Sequence, residues 1–203
     1  MSSSSDKRSP VRAKVREVVS EAILDAAEDV ALEHGLEAAS ASAIAQRAGV
    51  AVGTLYNYFP DRDGILAALF KTRRGAIVPE LDTAAAAGAA LPFEDRLRAY
   101  VRRLLAVFEA NSSFLRLAVR ADGEGTKIKG RDKTLMTQVL HHIEQIMREG
   151  ASRKLFPAAR VPAYARMLQG QIKALVLWRV EDGGSLTQDG DLAVDTFLRG
   201  ALG

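Results

Sequence analysis

The sequence predicts an all-α protein with a small N-terminal helical domain and a larger C-terminal one. Three observations carry that prediction. Apolar residues recur at spacings of three and four along most of the chain, and few segments alternate as a half-buried strand would. Between Ser40 and Phe59 two short helical patterns flank a glycine turn. The 203 residues, 48% of them apolar, suffice for one small and one medium core.

Composition narrows the classes. Without cysteine there is neither a disulfide framework nor a thiolate metal site. The serine-rich, basic N-terminus lacks the apolar run of a signal peptide. No stretch approaches the ~20 apolar residues of a membrane span. A cytoplasmic protein with no membrane partner is expected. The net charge of +3 is unevenly spread. Lys7, Arg8, Arg12, Lys14 and Arg16 face only Asp6, and the acidic run Glu17, Glu21, Asp25, Glu28, Asp29 and Glu33 follows. This predicts a basic, disordered arm over residues 1–13 that reaches for phosphates. A purely solubilising tail is the alternative for residues before Pro10.

The elements follow in order. A first helix runs from about Val11 or Lys14 to His34 on the stripe Val19, Ile23, Ala26, Ala27, Val30 and Ala31, and Gly35 is its left-handed cap. Ser40 caps a second helix carrying Ile44, Ala45 and Ala48 on one face, and Gly49 stops it. A third helix runs from Val52 to Phe59, with Leu55 and Phe59 inward, until Pro60 breaks it. Asp61 caps a fourth helix, to about Leu81, lined by Ile65, Leu66, Leu69, Phe70 and Ile77. The stretch from Thr83 to Pro92 reads as a connection.

Phe93 to Ala110 is the fifth helix, apolar at Leu97, Tyr100, Val101, Leu104, Leu105 and Phe108, with Arg96, Arg98, Arg102 and Arg103 on a solvated face. Ser113 caps a sixth helix through Ala121. Residues 123–130 are a loop without a phosphate-loop pattern. A seventh helix spans Arg131 to Lys154 and buries Leu135, Val139, His142, Ile143, Ile146 and Met147. His141 and His142 point ~100° apart on a helix, too divergent for one ion, so no metal site is expected. The eighth helix, Val161 to Val180, has Pro162 in its first turn. Tyr164, Met167, Leu168, Gln171, Ile172, Leu175, Val176 and Trp178 cover most of its circumference, so it must be buried on more than one side. Leu192, Val194, Phe197, Leu198 and Leu202 mark a ninth.

The segment from 40 to 59 bears the functional signal. With Leu55 and Phe59 inward, Val52, Gly53, Thr54, Tyr56, Asn57 and Tyr58 turn outward. Aromatics with polar tips and an amide on so short a helix suit a surface with apolar and polar features. A recognition helix in the DNA major groove needs this: hydroxyls for phosphates, amide or small groups for base edges.

Ala48-Gly49-Val50-Ala51-Val52-Gly53-Thr54-Leu55-Tyr56-Asn57-Tyr58-Phe59, followed by Asp61-Arg62-Asp63-Gly64-Ile65-Leu66, resembles the DNA-binding domain of the TetR family of transcriptional repressors. The likeness is strong from Ile44 to Leu66. The family often has a basic residue where Val52 stands, serine at Ala51 and lysine at Arg62. Val52 removes a possible polar base contact and could touch a thymine methyl instead.

The resemblance implies a helix-turn-helix DNA-binding domain, placed at residues 14–63, and a ligand-binding and dimerisation domain at 64–203. It implies a homodimer on a palindromic operator, a small apolar or amphipathic inducer, and a fourth helix acting as a lever. No cofactor is implied. The expected DNA-binding set is Ser40, Ser42, Val52, Gly53, Thr54, Tyr56, Asn57, Tyr58 and Arg62. Of these, Thr54, Tyr56, Tyr58 and Arg62 grip phosphates, while Ser42, Val52, Gly53 and Asn57 reach base edges. Helical phase suggests a pocket of Tyr100, Phe108, His142, Met147, Met167 and Gln171. Excess apolar surface on the last two helices suggests a dimer seam of Ile172, Leu175, Val176, Phe197 and Leu198. No nucleophile elbow or cofactor fingerprint occurs, which argues against an enzyme. An activator reads the same as a repressor, and an interaction module that kept the fold differs only in a band-shift assay.

Overall fold

The computed structural model of the chain describes residues 10–123 and 134–202. Expectations for residues 1–9, and for the loop at 124–130 with the start of the seventh helix, lie outside them. All regular structure among the described residues is helical. They form two compact units that part at Lys71 and Thr72, inside a helix.

The first unit contains α1 (Pro10–His34), α2 (Ala41–Arg47), α3 (Val52–Tyr56) and the beginning of α4 (Arg62–Ala86). Pro10 to Ala13, expected to belong to the arm, are helical; proline is accommodated at a helix start, where its missing N–H costs nothing. Gly35 closes α1 at φ 87° and donates its amide to the Ala31 carbonyl. Ser40 caps α2, its Oγ accepting the Ala43 N–H at 3.2 Å. Arg47 donates to Glu33 and lies 3.6 Å from Asp29, clipping α2 to α1. Gly49, at φ 69°, makes the turn that brings α3 back.

Recognition of α3 as a helix holds, but not its length. Asn57 already ends it: the Tyr58 and Phe59 amides both turn back to the Leu55 carbonyl, which tightens the last turn. Leu55 and Phe59 are buried as the phase required.

The second unit holds the rest of α4, α5 (Phe93–Ala110), α6 (Ser112–Gly123), α7 (Thr134–Ser152), a single 3₁₀ turn at Ala158–Arg160, α8 (Val161–Asp182) and α9 (Leu186–Leu202). α4 continues to Ala86, past its expected end, because the alanines after Thr83 are strong helix formers and Gly88, at φ 79°, is the first breaker. α5 packs on α9 and α7, and α8 on α7, α9 and α6.

Gly190 permits the α5–α9 crossing: a Cβ there would lie 2.7 Å from a Leu105 methyl. Phe93, Phe156, Tyr164 and Phe197 meet edge to face in series, with centroids 5.7, 5.2 and 5.8 Å apart. The arginines of α5, expected on a solvated face, mostly pair across helices. Arg96 pairs with Glu149, Arg98 with Asp195, and Arg102 grips Asp191 with two bonds of 2.8 Å.

Candidate nucleic-acid interface

The reading surface is built from the turn outward. Leu55 and Phe59 anchor α3 in the core, so the intervening side chains must face away. Tyr56 is 50% exposed and Val52 39%. Gly53 and Asn57 are exposed, and Thr54 and Tyr58 are half-buried. Gly53 has ordinary helical backbone, and a Cβ on it would meet nothing within 4 Å. Its glycine is therefore required by nothing inside the chain, although glycine in a helix costs up to ~1 kcal/mol against alanine. Ser42 is exposed on α2, while the hydroxyl of exposed Ser40 is already engaged in its cap.

Arg62, expected to grip phosphate, is hydrogen-bonded within the first unit. Its Nε donates to the Ala39 carbonyl at 3.0 Å, one terminal nitrogen to the Leu36 carbonyl at 2.5 Å, and the other to the Asp63 carboxylate at 3.2 Å. The guanidinium pins the α1–α2 connection and with it the start of α2. A second arginine, Arg16 of α1, is not legible in the sequence as part of this surface. It donates to the carbonyl of Asn57 at 3.4 Å and lies over the Tyr58 ring, 5.4 Å from its centroid. Its only signal in the sequence is its charge, which reads as part of the basic start.

The six residues expected to line a pocket are divided between core and surface. Tyr100, Phe108 and Met147 are fully buried core. Met167 is 60% exposed and belongs to no interior wall. Gln171 is half-buried with its carbonyl oxygen unpartnered. Only Tyr100 and His142 meet: the phenol oxygen lies 3.4 Å from Nδ1, and Asp82 of α4 lies 3.0 Å from Nε2. Gln138 bonds both His142 and Asp82. Burial pushes the His142 imidazole below its ordinary range, and the Asp82 carboxylate opposes this. Burial, helped by the same carboxylate, raises the Tyr100 phenol. The groove present in this unit holds about 570 Å³ beside α4 and α5, between Pro79, Glu80, Thr83, Ala84 and Ala87 on one wall and Arg103, Ala106 and Val107 on the other. None of the six lines it. Among the described residues no cluster of three or more acidic, histidine or cysteine side chains could hold a metal, and no helix is long and apolar enough to cross a membrane.

The residues expected at a dimer seam lie mostly inside the protomer. Ile172, Val176, Phe197 and Leu198 are buried within the protomer, and Leu175 is half-buried. The outward apolar face of α8 is the other one: Ala163, Met167, Gly170, Ala174 and Trp178 are all exposed. On α9 Leu192 is exposed. Because α8 is apolar on two faces, periodicity does not say which face stays inside the chain.

This is a helix-turn-helix domain followed by an all-helical domain. Residues 23–69 match the family described as bacterial regulatory proteins, tetR family. No curated protein matches the chain significantly. Among solved structures, the fatty acid degradation regulator FadR from Bacillus halodurans is 24% identical, with 89% of this chain and 98% of that one covered at a TM-score of 0.70. The transcriptional regulator FadR from Bacillus subtilis, solved with stearoyl-CoA, is 23% identical over 89% and 98%, at 0.71. The TetR-family regulator PfmR from Thermus thermophilus is 21% identical over 87% and 97%, at 0.71. These likenesses establish the fold. With the family match confined to residues 23–69, the chain is similar to tetR-family regulators in its first unit and shares their fold throughout.

Proposed function

We propose that the chain is a homodimeric repressor released from a palindromic operator by a small apolar or amphipathic molecule. The observation that carries the reading is α3, where buried Leu55 and Phe59 hold Val52, Gly53, Tyr56 and Asn57 outward with a glycine that no internal contact requires. Gly53 lets the backbone approach a base pair closely, and the Asn57 amide offers the donor–acceptor pair that adenine presents, worth ~1–3 kcal/mol of discrimination.

Dimerisation is supported by α8. Gly170 stands among exposed Met167, Ala174 and Trp178, and a Cβ on it would meet nothing. A glycine that costs helix stability and fills no internal gap fits close approach by a second helix. The inducer reading is supported by the α4–α5 groove, apolar along most of its walls, and by the Bacillus subtilis FadR solved with stearoyl-CoA. A ligand there acts only if it binds the DNA-competent and DNA-released states unequally.

A band shift with the region upstream of its own gene tests the proposal. Wild-type protein should retard a specific fragment, and Asn57→Ala should relax preference at one position per half-site. A protein that binds that fragment no better than mixed-sequence DNA is not a repressor of its own gene. Unchanged preference in Asn57→Ala removes Asn57 from base reading.

A further inference from the structure

Beside α3 lies a groove of about 830 Å³ between the first turns of α1 and the exit of α3. Arg12, Arg16 and Ser20 line one wall with Val11 and Val15; Thr54, Asn57 and Tyr58 line the other. Val11 and Val15 are exposed, so the helix start presents methyl groups and cations together.

The geometry points to a single phosphodiester strand as the occupant, with Arg12 as the phosphate contact and Arg16 as the residue that sets the end of the recognition helix. This rests on the DNA-binding reading and extends it to a part of α1 outside the helix-turn-helix.

Charge supports the occupant. The groove's one carboxylate, Glu17, is 3.0 Å from the Lys14 ammonium and so is offset on the same helix. Arg12 and Arg16 stand four residues apart, one turn and ~6 Å along the axis, and both contribute to this groove. The opposite wall carries a hydroxyl at Thr54 and a phenol at Tyr58, groups that contact phosphate oxygens in protein–DNA interfaces, beside the Asn57 amide assigned to base edges. The valine methyls suit deoxyribose faces, which carry no charge.

The two arginines differ in what they already hold. Arg16 is committed to the Asn57 carbonyl and the Tyr58 ring. α3 has only five residues and no side-chain cap, so this bracket from α1 fixes where its last turn, and Asn57 with it, stands. Arg16 is thus a positioning residue for base reading. Arg12 lines the same groove one turn earlier and has no ion-pair partner among the described residues, so it supplies the charge.

The test uses the full chain, a selected operator duplex and a mixed-sequence duplex of equal length, titrated by fluorescence anisotropy across a salt series. Arg12→Gln should weaken both duplexes alike and flatten the log–log salt slope by about 0.9 per protomer. Arg16→Lys keeps the charge but loses the fork and the stacking. It should leave the slope and mixed-sequence affinity unchanged while operator affinity falls about tenfold, at an unaltered melting temperature. An unchanged slope in Arg12→Gln overturns the strand assignment. An unchanged operator-to-mixed ratio in Arg16→Lys overturns the positioning role. Binding of Arg12-dependent character to anionic phospholipid vesicles, with the DNA slope unmoved, reassigns the groove to a membrane surface and also overturns it. If the wild type binds neither duplex, the DNA-binding reading itself fails, an outcome separable from failure of either variant.

Discussion

Replacing Arg62 by alanine separates two accounts of the same cation. Its guanidinium donates to the carbonyls of Leu36 and Ala39, two of the most buried residues of the first unit, and to Asp63. A bond from a charged donor is worth ~1.5–3 kcal/mol when its partner is left unsatisfied. The Arg62 side chain is 29% exposed, so water reaches part of the vacated space and the loss should total about 2 kcal/mol rather than the sum for both carbonyls. For a chain of this size that corresponds to a fall of about 4–8 °C in melting temperature, readable by calorimetry. Ser40 follows Ala39 directly, so the α2 cap loosens and operator affinity drops with stability. The salt slope of DNA binding should not change, because no phosphate contact is lost. Arg62→Lys should recover part of the stability, since one ammonium can still reach one carbonyl. A slope flattened by about one unit with an unchanged melting temperature would refute this reasoning and restore Arg62 as a phosphate clamp.

Other outcomes follow from the same coordinates. Gly53→Ala should hold or slightly raise the melting temperature, since a Cβ there meets nothing, while Gly53→Leu should abolish operator binding without unfolding; a large thermal loss in either makes Gly53 structural. Met167→Glu and Trp178→Glu change exposed residues of α8 and should yield folded monomers by sedimentation, with operator affinity at least about a thousandfold weaker. Phe197→Asp, buried against Tyr164, should instead unfold the second unit, and a folded monomer from it would return the seam to α9's inner face. Because the folded His142 pKa lies below 6.5, the unfolded chain binds the proton more readily. His142 should therefore cost stability as pH falls below about 6.5 and none above it. Denaturation midpoints at pH 7.5 and 5.5 should differ less in His142→Gln than in wild type, and equal differences remove His142 from the pH dependence.

The sequence discloses the helices wherever the apolar stripe is single. α5 reads directly from Leu97, Tyr100, Val101, Leu104, Leu105 and Phe108, all of them fully buried. The helix-turn-helix is legible because glycine at two positive-φ turns and a serine cap leave few other conformations. α8 is not, because apolar residues on two faces leave phase ambiguous, and Met167 and Ile172 are consequently exchanged between surface and interior. Arg62 and Arg16 are equally illegible. Their roles depend on carbonyls 23 to 41 positions away, and composition signals a cation without signalling what it is bonded to. The same holds for the arginines of α5, whose carboxylate partners lie on α7 and α9.

Selection of bound sequences from a randomised duplex pool tests the central claim most directly. Wild-type protein should enrich a two-fold symmetric site with half-sites one DNA turn apart, roughly 34–36 Å or a multiple, and Gly53→Leu should enrich nothing. A pool that stays random with folded wild-type protein, or an identical site recovered with Gly53→Leu, would contradict reading by α3.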